Sequence, residues 1–398
     1  MLKKYHDSIL IAVSGIIGFF CMTHEAALSV TTLIIPALWI LASKRASAFC
    51  VVLTYHMTIS RGVIPGALVF LQETHTLVDA CVLWLLLAIG VSIPFLIFWS
   101  SNKYKKTLCL LSAVIVAYFA PPVALIGVVN PIISTGCLFP GWGWYGLATM
   151  FFVYSLCVVN RKIALVFTVI VALLPIIGFV GLGTPKSPHG IYAIDTSFGR
   201  LGSGSYNFEN DYERTQMVFN DIKKLKAREL KEEYIVLPET IAGRLNNTGS
   251  YLWRTELIRF LRADQKAIFG AEIPTDDGRK YDNAMIMLDG GKMTFIAQRI
   301  PVPYSMYCGP FAKSGANLHL FEDGILVLPD GRKAAVIICY EAFLSLPYIL
   351  SFLQNPDFIL WTGNQWWCKD TSLPIIQERC VALWAQLFGV PVLFSRNR

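Results

Sequence analysis

The first half of the chain consists of long apolar runs separated by short polar loops. A helix needs about 20 predominantly apolar residues to cross the hydrocarbon core of a bilayer, and the runs up to Leu182 approach that length. Seven of them are candidate transmembrane helices: Ile9–Met22, Ala27–Leu41, Ala48–Phe70, Leu77–Trp99, Thr107–Val128, Tyr145–Val159 and Ile163–Leu182. The third is interrupted by Arg61, Gly62 and Pro65, which predicts a broken or re-entrant segment. The pattern predicts a multi-spanning α-helical membrane domain over residues 1–183.

The lysines and arginines of the loops lie on one side of these segments. They occur at the N-terminus and after the second, fourth and sixth segments: Lys3, Lys4, Lys44, Arg45, Lys103, Lys105, Lys106, Arg161 and Lys162. The loops around Glu25, Gln72–His75 and Asn130–Trp144 carry none. Because cytoplasmic loops are enriched in lysine and arginine, we expect a multi-pass membrane protein whose basic loops face the cytoplasm. Seven crossings put the C-terminal domain on the periplasmic side, and an even number would reverse that placement.

The second half shows the shorter periodicities of a water-exposed domain. A stretch that contains glycine and proline, residues 184–190, separates it from the apolar half. Short runs rich in Val, Ile and Phe predict strands: EYIVLPET, KAIFGAEI, NAMIMLDGGKMTFIAQ, GILVLPDGRKAAVIIC, DFILWTG and VPVLFS. Helical spacing predicts helices over about 211–230, 251–264, 346–353 and 374–388. Strands that alternate with helices predict a layered α/β domain over residues 191–398.

Composition agrees with a chain that lies partly in a membrane. Hydrophobic residues make up 55% of the 398 positions and charged residues only 15%, below the roughly 25% that is typical of soluble domains. The net charge of +7 does not gather on a basic face interleaved with aromatic residues. Nucleic acid is therefore not an expected partner.

The sequence lacks the common metal and cofactor motifs. The ten cysteines form no C-x-x-C pair and the six histidines form no H-x-x-x-H pair, which argues against a metal site. No phosphate-binding or dinucleotide-binding fingerprint occurs, so no cofactor is expected. If the exposed domain lies in an oxidising compartment, two of Cys308, Cys368 and Cys380 can form a disulfide, and the sequence does not decide which two.

Three residues near predicted strand ends have side chains suited to nucleophilic chemistry. Glu239 closes the strand of EYIVLPET, Cys339 closes that of AAVIIC, and Glu341 follows two residues later. Side chains at strand ends of α/β folds converge at one edge. There a glutamate can take the thiol proton, and the thiolate can attack a carbonyl or nitrile carbon. The alternative is structural, with Cys339 as a small apolar filler and Glu239 as a turn residue; spacing alone favours it.

Five stretches in order resemble the nitrilase (carbon–nitrogen hydrolase) superfamily. They are IVLPET, KYDNAMIML, VIICYE, TGNQWW and IIQERCVALWAQLFGVPVLFS. The resemblance implies an αββα sandwich, here shortened at its C-terminal end. It also implies that Glu239 is the general base, Cys339 the nucleophile and Glu341 a supporting glutamate.

A multi-spanning half followed by such a domain resembles the apolipoprotein N-acyltransferases, and QRIPVPYSM is similar to a stretch of the TraB-type conjugal-transfer proteins. The N-acyltransferases move an acyl chain from a phospholipid, through a cysteine thioester, to the amino end of a lipoprotein. The resemblance implies a location in a bacterial inner (cytoplasmic) membrane, a phospholipid or lipoprotein substrate and a partner in the conjugation machinery. It also implies substrate-binding residues at Tyr340, Asn364 and Trp366.

The chain departs from that family before the nucleophile. Gln298 stands at the register of the family's lysine, with Arg299 beside it as a candidate oxyanion stabiliser. Met306 stands where the acyltransferases have a loop glutamate, and the sequence ends before the family's terminal strands and last helix. Two functions compete: a membrane-embedded thiol acyltransferase or amidase, and an auxiliary conjugation factor that acts by binding. A transporter is less favoured, because the apolar segments hold few ionisable residues.

Overall fold

The computed structural model describes residues 2–23, 25–71, 76–178, 183, 185–199, 208–224, 229–275, 278–307, 309 and 311–398. The chain divides into two compact units. The first comprises Met1–Pro185, Ala342–Tyr348 and Cys368–Val390, and the second comprises Lys186–Glu341, Ile349–Trp367 and Pro391–Arg398. Residues 342–348 and 368–390, which the sequence analysis placed in the exposed domain, therefore pack with the N-terminal helices.

The first unit consists of helices joined by short connections. The α-helices of its N-terminal part are α1 (Leu2–Phe20), α2 (Ile34–Leu41), α3 (Arg45–Ile59), α4 (Val63–Leu71), α5 (Leu77–Ile97), α6 (Lys103–Tyr118), α7 (Thr135–Leu138), α8 (Gly143–Val159) and α9 (Arg161–Leu173). Short 3₁₀ helices span Ala26–Leu33, Val123–Leu125 and Pro131–Ser134. The close approach of α7 to the segment that contains Leu383 depends on a glycine, because a Cβ at Gly136 would lie 2.5 Å from the carbonyl oxygen of Leu383.

One helix among the described residues, α5, is long and apolar enough to cross a membrane. The number rises to three if each of two bent pairs is one span: Arg45–Ile59 with Val63–Leu71, bent by 52°, and Pro131–Leu138 with Gly143–Val159, bent by 110°. Two further apolar helices are shorter, Tyr5–Phe20 and Ala26–Leu41. The break predicted in the third segment is confirmed, whereas the count of seven crossings remains a prediction.

The second unit is built on two β-sheets. The first sheet has the order β1 (Ile191–Ala193), β2 (Tyr234–Val236), β3 (Lys266–Pro274), β4 (Lys280–Asp289) and β5 (Lys292–Ala297), and β6 (Gly315–Ala316) pairs with β4. The second sheet has the order β10 (Val392–Asn397), β9 (Phe358–Asn364), β8 (Lys333–Ile338) and β7 (Ile325–Val327). Strands β1 to β3 run parallel, as do β8 to β10, so each sheet gathers several carboxyl ends at one edge.

Apolar side chains join the two sheets face to face. Val236 and Met285 of the first sheet pack with Val336 and Leu360 of the second in one buried cluster. A second cluster covers the other face of the first sheet. It includes residues of α10 (Phe208–Lys224) and α11 (Asn247–Phe260). Helix α12 (Leu346–Phe352) has residues in both units, and α13 (Leu373–Phe388) belongs to the first unit. The layered α/β domain predicted from the sequence is confirmed in this sandwich.

Local chemistry explains where several elements begin and turn. Helix α11 begins four residues before its predicted start, because the side chain of Asn246 accepts a hydrogen bond from the backbone N–H of Gly249 at 2.8 Å. The hairpin between β4 and β5 turns through Gly290 and Gly291, with φ of 52° and 91°. Two consecutive left-handed residues match the favoured two-residue hairpin turn.

The described cysteines form no disulfide. Cys368 and Cys380 are both buried and free, so of the pairings that the sequence left open, the one between these two is not formed. The other predicted partner, Cys308, lies outside the described residues.

Candidate active site

The predicted glutamate and cysteine lie just beyond the carboxyl ends of parallel strands. Glu239 follows β2 and Cys339 follows β8 directly, and the sandwich brings these strands from opposite sheets together. The side chains of Glu239, Cys339 and Glu341 are buried, with exposed fractions of 3%, 4% and 1%. The thiol of Cys339 donates a hydrogen bond to the carboxylate of Glu239, and Glu341 lies close enough to influence that carboxylate electrostatically. The structure therefore brings the three predicted residues together.

Glu239 is held at both carboxylate oxygens. Its Oε1 accepts a hydrogen bond from Nδ2 of Asn283 at 2.8 Å, and its Oε2 accepts one from the backbone N–H of Asn364 at 2.8 Å. Burial raises the pKa of Glu239, and these hydrogen bonds together with that from Cys339 oppose the increase. A carboxylate with a raised pKa in contact with a thiol has the properties of a general base.

A glycine on the neighbouring strand permits this placement of Glu239. A Cβ at Gly270 would lie 2.4 Å from the backbone nitrogen of Thr240 and 2.5 Å from the Cα of Glu239. The backbone N–H of Gly270 donates to the carbonyl of Pro238 at 3.1 Å, which holds the turn after β2 against β3. Any larger residue at Gly270 would displace the segment that carries Glu239.

Cys339 occupies a sharp turn. Its φ is 49°, in the left-handed region that costs a non-glycine residue about 1–3 kcal/mol. The turn separates β8 from the 3₁₀ helix Cys339–Phe343. Such strain persists where the surrounding structure fixes the backbone. Here the side chain of Glu341 fixes it, because it accepts a hydrogen bond from the backbone N–H of Ile338 beside Cys339.

Glu341 is an anchor for the backbone around the site. Its Oε1 accepts hydrogen bonds from the backbone N–H groups of Arg299 and Ile300 at 2.7 and 3.0 Å. Its Oε2 accepts one from the N–H of Ile338 at 2.9 Å. Burial raises the pKa of Glu341, and the charge of Arg299 and the three N–H groups oppose that increase. One side chain thus ties the segment after β5 to the end of β8.

Gln298, predicted at the register of the acyltransferase lysine, and Arg299 beside it have different surroundings. Gln298 lies in the site, where its Oε1 accepts from Nδ2 of Asn283 at 2.9 Å and its Nε2 donates to the carbonyl of Ile338 at 2.9 Å. The guanidinium of Arg299 is buried and donates to Oγ of Ser351 at 3.0 Å. Arg299 therefore acts on Glu341 in two ways, through its backbone N–H and through the charge of its guanidinium.

The predicted binding residues are partly used by the protein itself. The side chain of Asn364 donates from Nδ2 to Oγ1 of Thr240 at 2.9 Å and accepts at Oδ1 from Nδ2 of Asn397 at 2.7 Å. Tyr340 directly follows Cys339 in the sequence, and Trp366 lies two residues after Asn364. Both side chains are half-buried. Asn364 therefore contacts Glu239 through its backbone and Thr240 and Asn397 through its side chain, and the two aromatic residues keep some exposed surface.

Sequence reasoning gave no role to Asn283 or to Asn397. Asn283 lies in β4 at the edge of the apolar run AMIML, and the backbone N–H of Gln298 donates to its carbonyl at 2.6 Å. A polar residue at the edge of a buried strand was the available signal. Its partners come from β5 and from the turn after β2, and no spacing in the sequence joins these.

Among the residues that the structure describes, no group of three or more His, Cys, Asp or Glu side chains could hold a metal ion. The arrangement is that of a thiol with an adjacent carboxylate. It can transfer a proton from sulfur to oxygen and form a nucleophilic thiolate.

Solved structures similar to this one include enzymes. A mutant of the amidase from Nesterenkonia sp. AN1, with the acetamide moiety of fluoroacetamide added covalently at its active-site cysteine, is 12% identical, with a TM-score of 0.39 over 54% of this chain and 79% of that chain. The glutamine-dependent NAD+ synthetase of Acinetobacter baumannii is 18% identical, with a TM-score of 0.33 over 44% of this chain and 32% of that chain.

Sequence relatives match along nearly the whole chain, although no protein-family model matches it. Conjugal transfer protein TraB of Agrobacterium fabrum is 29% identical over 413 aligned positions, which cover 99% of this chain and 93% of the relative. "Probable conjugal transfer protein TraB" of Sinorhizobium fredii is 30% identical over 413 positions, which cover 98% of this chain and 97% of the relative. With that identity over almost the full length of both proteins, the chain belongs to the TraB family of conjugal transfer proteins.

Proposed function

We propose that this protein is a membrane-embedded thiol acyltransferase or amidase of the nitrilase type that serves conjugal transfer. Cys339 is the nucleophile and Glu239 is the general base. One observation carries the proposal: the thiol of Cys339 donates a hydrogen bond to a buried carboxylate whose pKa is raised. A structural cysteine at a strand end has no need of such a partner.

The proposed reaction needs no group beyond these two side chains and the substrates. Glu239 takes the proton from Sγ of Cys339, and the thiolate attacks the carbonyl carbon of an acyl ester. The C–O bond breaks, the alcohol leaves with the proton from Glu239, and a thioester remains on Cys339. An amine then attacks the thioester, the C–S bond breaks, and Glu239 passes the amine's proton to the departing sulfur.

Exposed apolar faces in the first unit support its embedding in a membrane. Helix α5 leaves Leu77, Val78, Val82, Leu85, Leu86, Ile93 and Ile97 exposed, and α9 leaves Ile163, Leu165, Val166, Val169, Ile170 and Leu173 exposed. Patches of that kind are rarely exposed to water and mark membrane or protein contacts. They fit the contact of both helices with lipid.

Contacts between loops support the proposed topology. Nζ of Lys106, in the loop after the fourth predicted segment, donates to the carbonyl of Ile40 at the end of the second, at 2.7 Å. Arg45, after the second segment, donates to the carbonyl of Trp99 at 3.3 Å. The two basic loops thus meet on one side, as positive cytoplasmic loops would. Seven crossings of the inner membrane and a periplasmic site belong to the same proposal.

The substrate that this arrangement favours is an acyl chain supplied by a phospholipid and accepted by the amine of a lipoprotein or another envelope protein. A membrane unit joined to a thiol–carboxylate pair suits a substrate that is half apolar. The names of the two relatives point to the conjugation machinery as the setting.

A second function is favoured by Gln298. Its neutral amide occupies the lysine register and donates to the carbonyl of Ile338, so it supplies no charge for a developing oxyanion. Loss of an oxyanion donor commonly costs on the order of 100-fold or more in rate. A protein that kept the fold and acts in conjugation by binding would have this feature.

Intact-mass measurement of the purified protein after incubation with phospholipid tests the proposal. We expect an acyl adduct on the wild type that hydroxylamine removes, and none on Cys339→Ser or Glu239→Gln. Cys380→Ser is the matched control, because Cys380 is buried in the other unit, and it should keep the adduct. A folded wild type without an adduct would contradict acyl transfer and favour the binding function.

A further inference from the structure

We propose that Asn283 and Gln298 are positioning residues that keep Glu239 ready to accept the proton of Cys339. This inference rests on the proposed function and assigns to two neutral amides the control of its base. The pair lies between Glu239 and the end of β8, in a chain of hydrogen bonds from the carbonyl of Ile338 to the carboxylate.

The direction of this chain is fixed by its first member. The carbonyl oxygen of Ile338 can only accept, so the nitrogen of the Gln298 amide must face it. The oxygen of that amide then faces Asn283, and Nδ2 of Asn283 must donate to it. The same Nδ2 also donates to Oε1 of Glu239. The backbone carbonyl beside Cys339 therefore decides which end of Asn283 faces the base.

Asn283 makes this arrangement at a cost. Its Oδ1 is buried and has no hydrogen-bond partner among the residues that the structure describes, and an unpaired buried acceptor is unfavourable. Rotating the amide by half a turn would place Oδ1 against the oxygens of Glu239 and Gln298. The orientation with an unpaired oxygen is kept because both neighbours require a donor.

Both carboxylate oxygens of Glu239 accept hydrogen bonds, one from Asn283 and the other from Asn364. The backbone N–H of Asn364 is a donor only, and it occupies Oε2. Both carboxylate oxygens therefore face donors, which favours the ionised form that burial opposes. The ionised carboxylate can take the thiol proton, whereas a protonated one cannot.

The two amides stabilise the ionised form of Glu239 by the orientation of their hydrogen bonds, whereas a cation would stabilise it by its charge. A positive charge at position 298 would stabilise an ionised Glu239 through space. The amides of Gln298 and Asn283 are neutral, so their effect depends on which atom faces which. An isosteric change that reverses one contact should therefore have a large effect on the base and a small effect on packing.

The test is the pH dependence of Cys339 alkylation by iodoacetamide, measured on full-length protein in detergent by mass spectrometry of the Cys339 peptide. Asn283→Leu removes the donor to Glu239. Gln298→Glu keeps the shape but puts an oxygen against the carbonyl of Ile338 and, when ionised, a negative charge near Glu239. Both should move the midpoint of the rising limb upward by about one pH unit or more.

Gln265→Met is the matched control. Gln265 is a buried amide just before β3. Its Nε2 donates to the carbonyls of Glu232 at 3.1 Å and Leu230 at 3.4 Å, and its Oε1 accepts from the backbone N–H of Arg262 at 2.9 Å. Its replacement removes the hydrogen bonds of a buried amide away from Glu239. We expect a lower unfolding temperature and an unchanged midpoint, which separates positioning from general loss of stability.

Each result decides the proposal. An unchanged midpoint in folded Asn283→Leu or Gln298→Glu would overturn it, as would a wild-type Cys339 that resists alkylation from about pH 5 to about pH 10. If both variants unfold while Gln265→Met folds, the amides are structural and the proposal is wrong. Alkylation needs no acyl donor, so failure of acyl transfer would leave a shifted midpoint intact and the two ideas stay distinguishable.

Discussion

Two buried glutamates on either side of Cys339 differ in the kind of donor that surrounds them. Glu341 accepts three hydrogen bonds, all from backbone N–H groups. Glu239 accepts from one backbone N–H, one side-chain amide and the thiol of Cys339. A backbone amide does not give up its proton at any relevant pH, whereas a thiol does.

The comparison teaches that burial alone does not identify a base. Burial raises the pKa of both carboxylates, and what separates them is whether a neighbour can lose a proton. Glu341 is suited to hold backbone in place, and Glu239 is suited to proton transfer. The two are also coupled, because the charge of Glu341 raises the pKa of Glu239 further.

The largest expected effect comes from Glu239→Gln. The change removes the proton acceptor but keeps the shape, so we expect Cys339 to alkylate about 100-fold or more slowly at neutral pH. The unfolding temperature should change much less than in Glu341→Gln. The rate of iodoacetamide labelling at Cys339 and a thermal melt in detergent give the two numbers.

The pH dependence of the wild type sharpens the same point. Because the pKa of Glu239 is raised, its basic form is lost at a higher pH than for an ordinary glutamate. The labelling rate should fall as the pH drops through that raised value, and this dependence should be absent in Glu239→Gln. An identical profile in both proteins would remove Glu239 from the role of base.

Glu341→Gln should show the reverse pattern. The new amide nitrogen would face at least one of the backbone N–H groups of Arg299, Ile300 and Ile338, and would leave it without an acceptor. We expect a loss of about 2 kcal/mol or more in the free energy of unfolding of the second unit. Hydrogen exchange at these three amides measures it, with Gln265→Met as the control for a buried hydrogen bond elsewhere.

Two glycines extend the comparison: Gly270 lies beside Glu239, and Gly324 lies beside the guanidinium of Arg299, whose charge lowers the pKa of Glu341. Gly270→Ala would press on the backbone of Glu239 and Thr240, and Gly324→Ala would place a Cβ 2.4 Å from Cζ of Arg299. Overpacking of this kind costs about 1–3 kcal/mol. We expect Gly270→Ala to slow labelling of Cys339 and Gly324→Ala mainly to lower stability. Equal effects of both on labelling would contradict the division of roles.

The sequence predicted the residues of the site better than their partners. Strand ends at Glu239 and Cys339 were recognisable from short β-branched runs that stop at a polar residue, and the α/β layering followed from the same runs. These are local features, and a local pattern is enough to place them.

The partners of Glu239 could not be predicted because they depend on contacts between distant segments. Asn283 and Asn364 meet Glu239 from two different sheets, and the register of those sheets is a property of the packed sandwich. The same holds for Arg299: its guanidinium donates to Ser351 and its charge lowers the pKa of Glu341, and its role as an oxyanion stabiliser remains a prediction. The seven crossings remain a prediction. The thickness of a membrane sets the length of a spanning helix, and the only sign of that length in the sequence is the apolar run.

The smallest expected effect concerns His319, which contacts Asp282 next to Asn283. Its Nε2 lies 2.8 Å from Oδ1 of Asp282, and its Nδ1 lies 2.9 Å from Oε1 of Glu322. These carboxylates raise the pKa of His319 to about 9. The resulting stabilisation is fully present below the ordinary histidine pKa and is lost as the pH rises through about 9.

His319→Gln should therefore cost about 1 kcal/mol at pH 6, a figure reduced for the partial exposure of the pair, and almost nothing above the raised pKa. Thermal melts of both proteins across that range give the difference. Labelling of Cys339 should not change, since Asp282 and Asn283 are consecutive strand residues whose side chains point to opposite faces of the sheet. A cost that is the same at both ends of the range would mean that His319 acts by packing and not by charge. A change in the labelling rate would instead mean that Asp282, the neighbour of Asn283, also affects Glu239. The set of residues that control Glu239 would then include the His319–Asp282 pair.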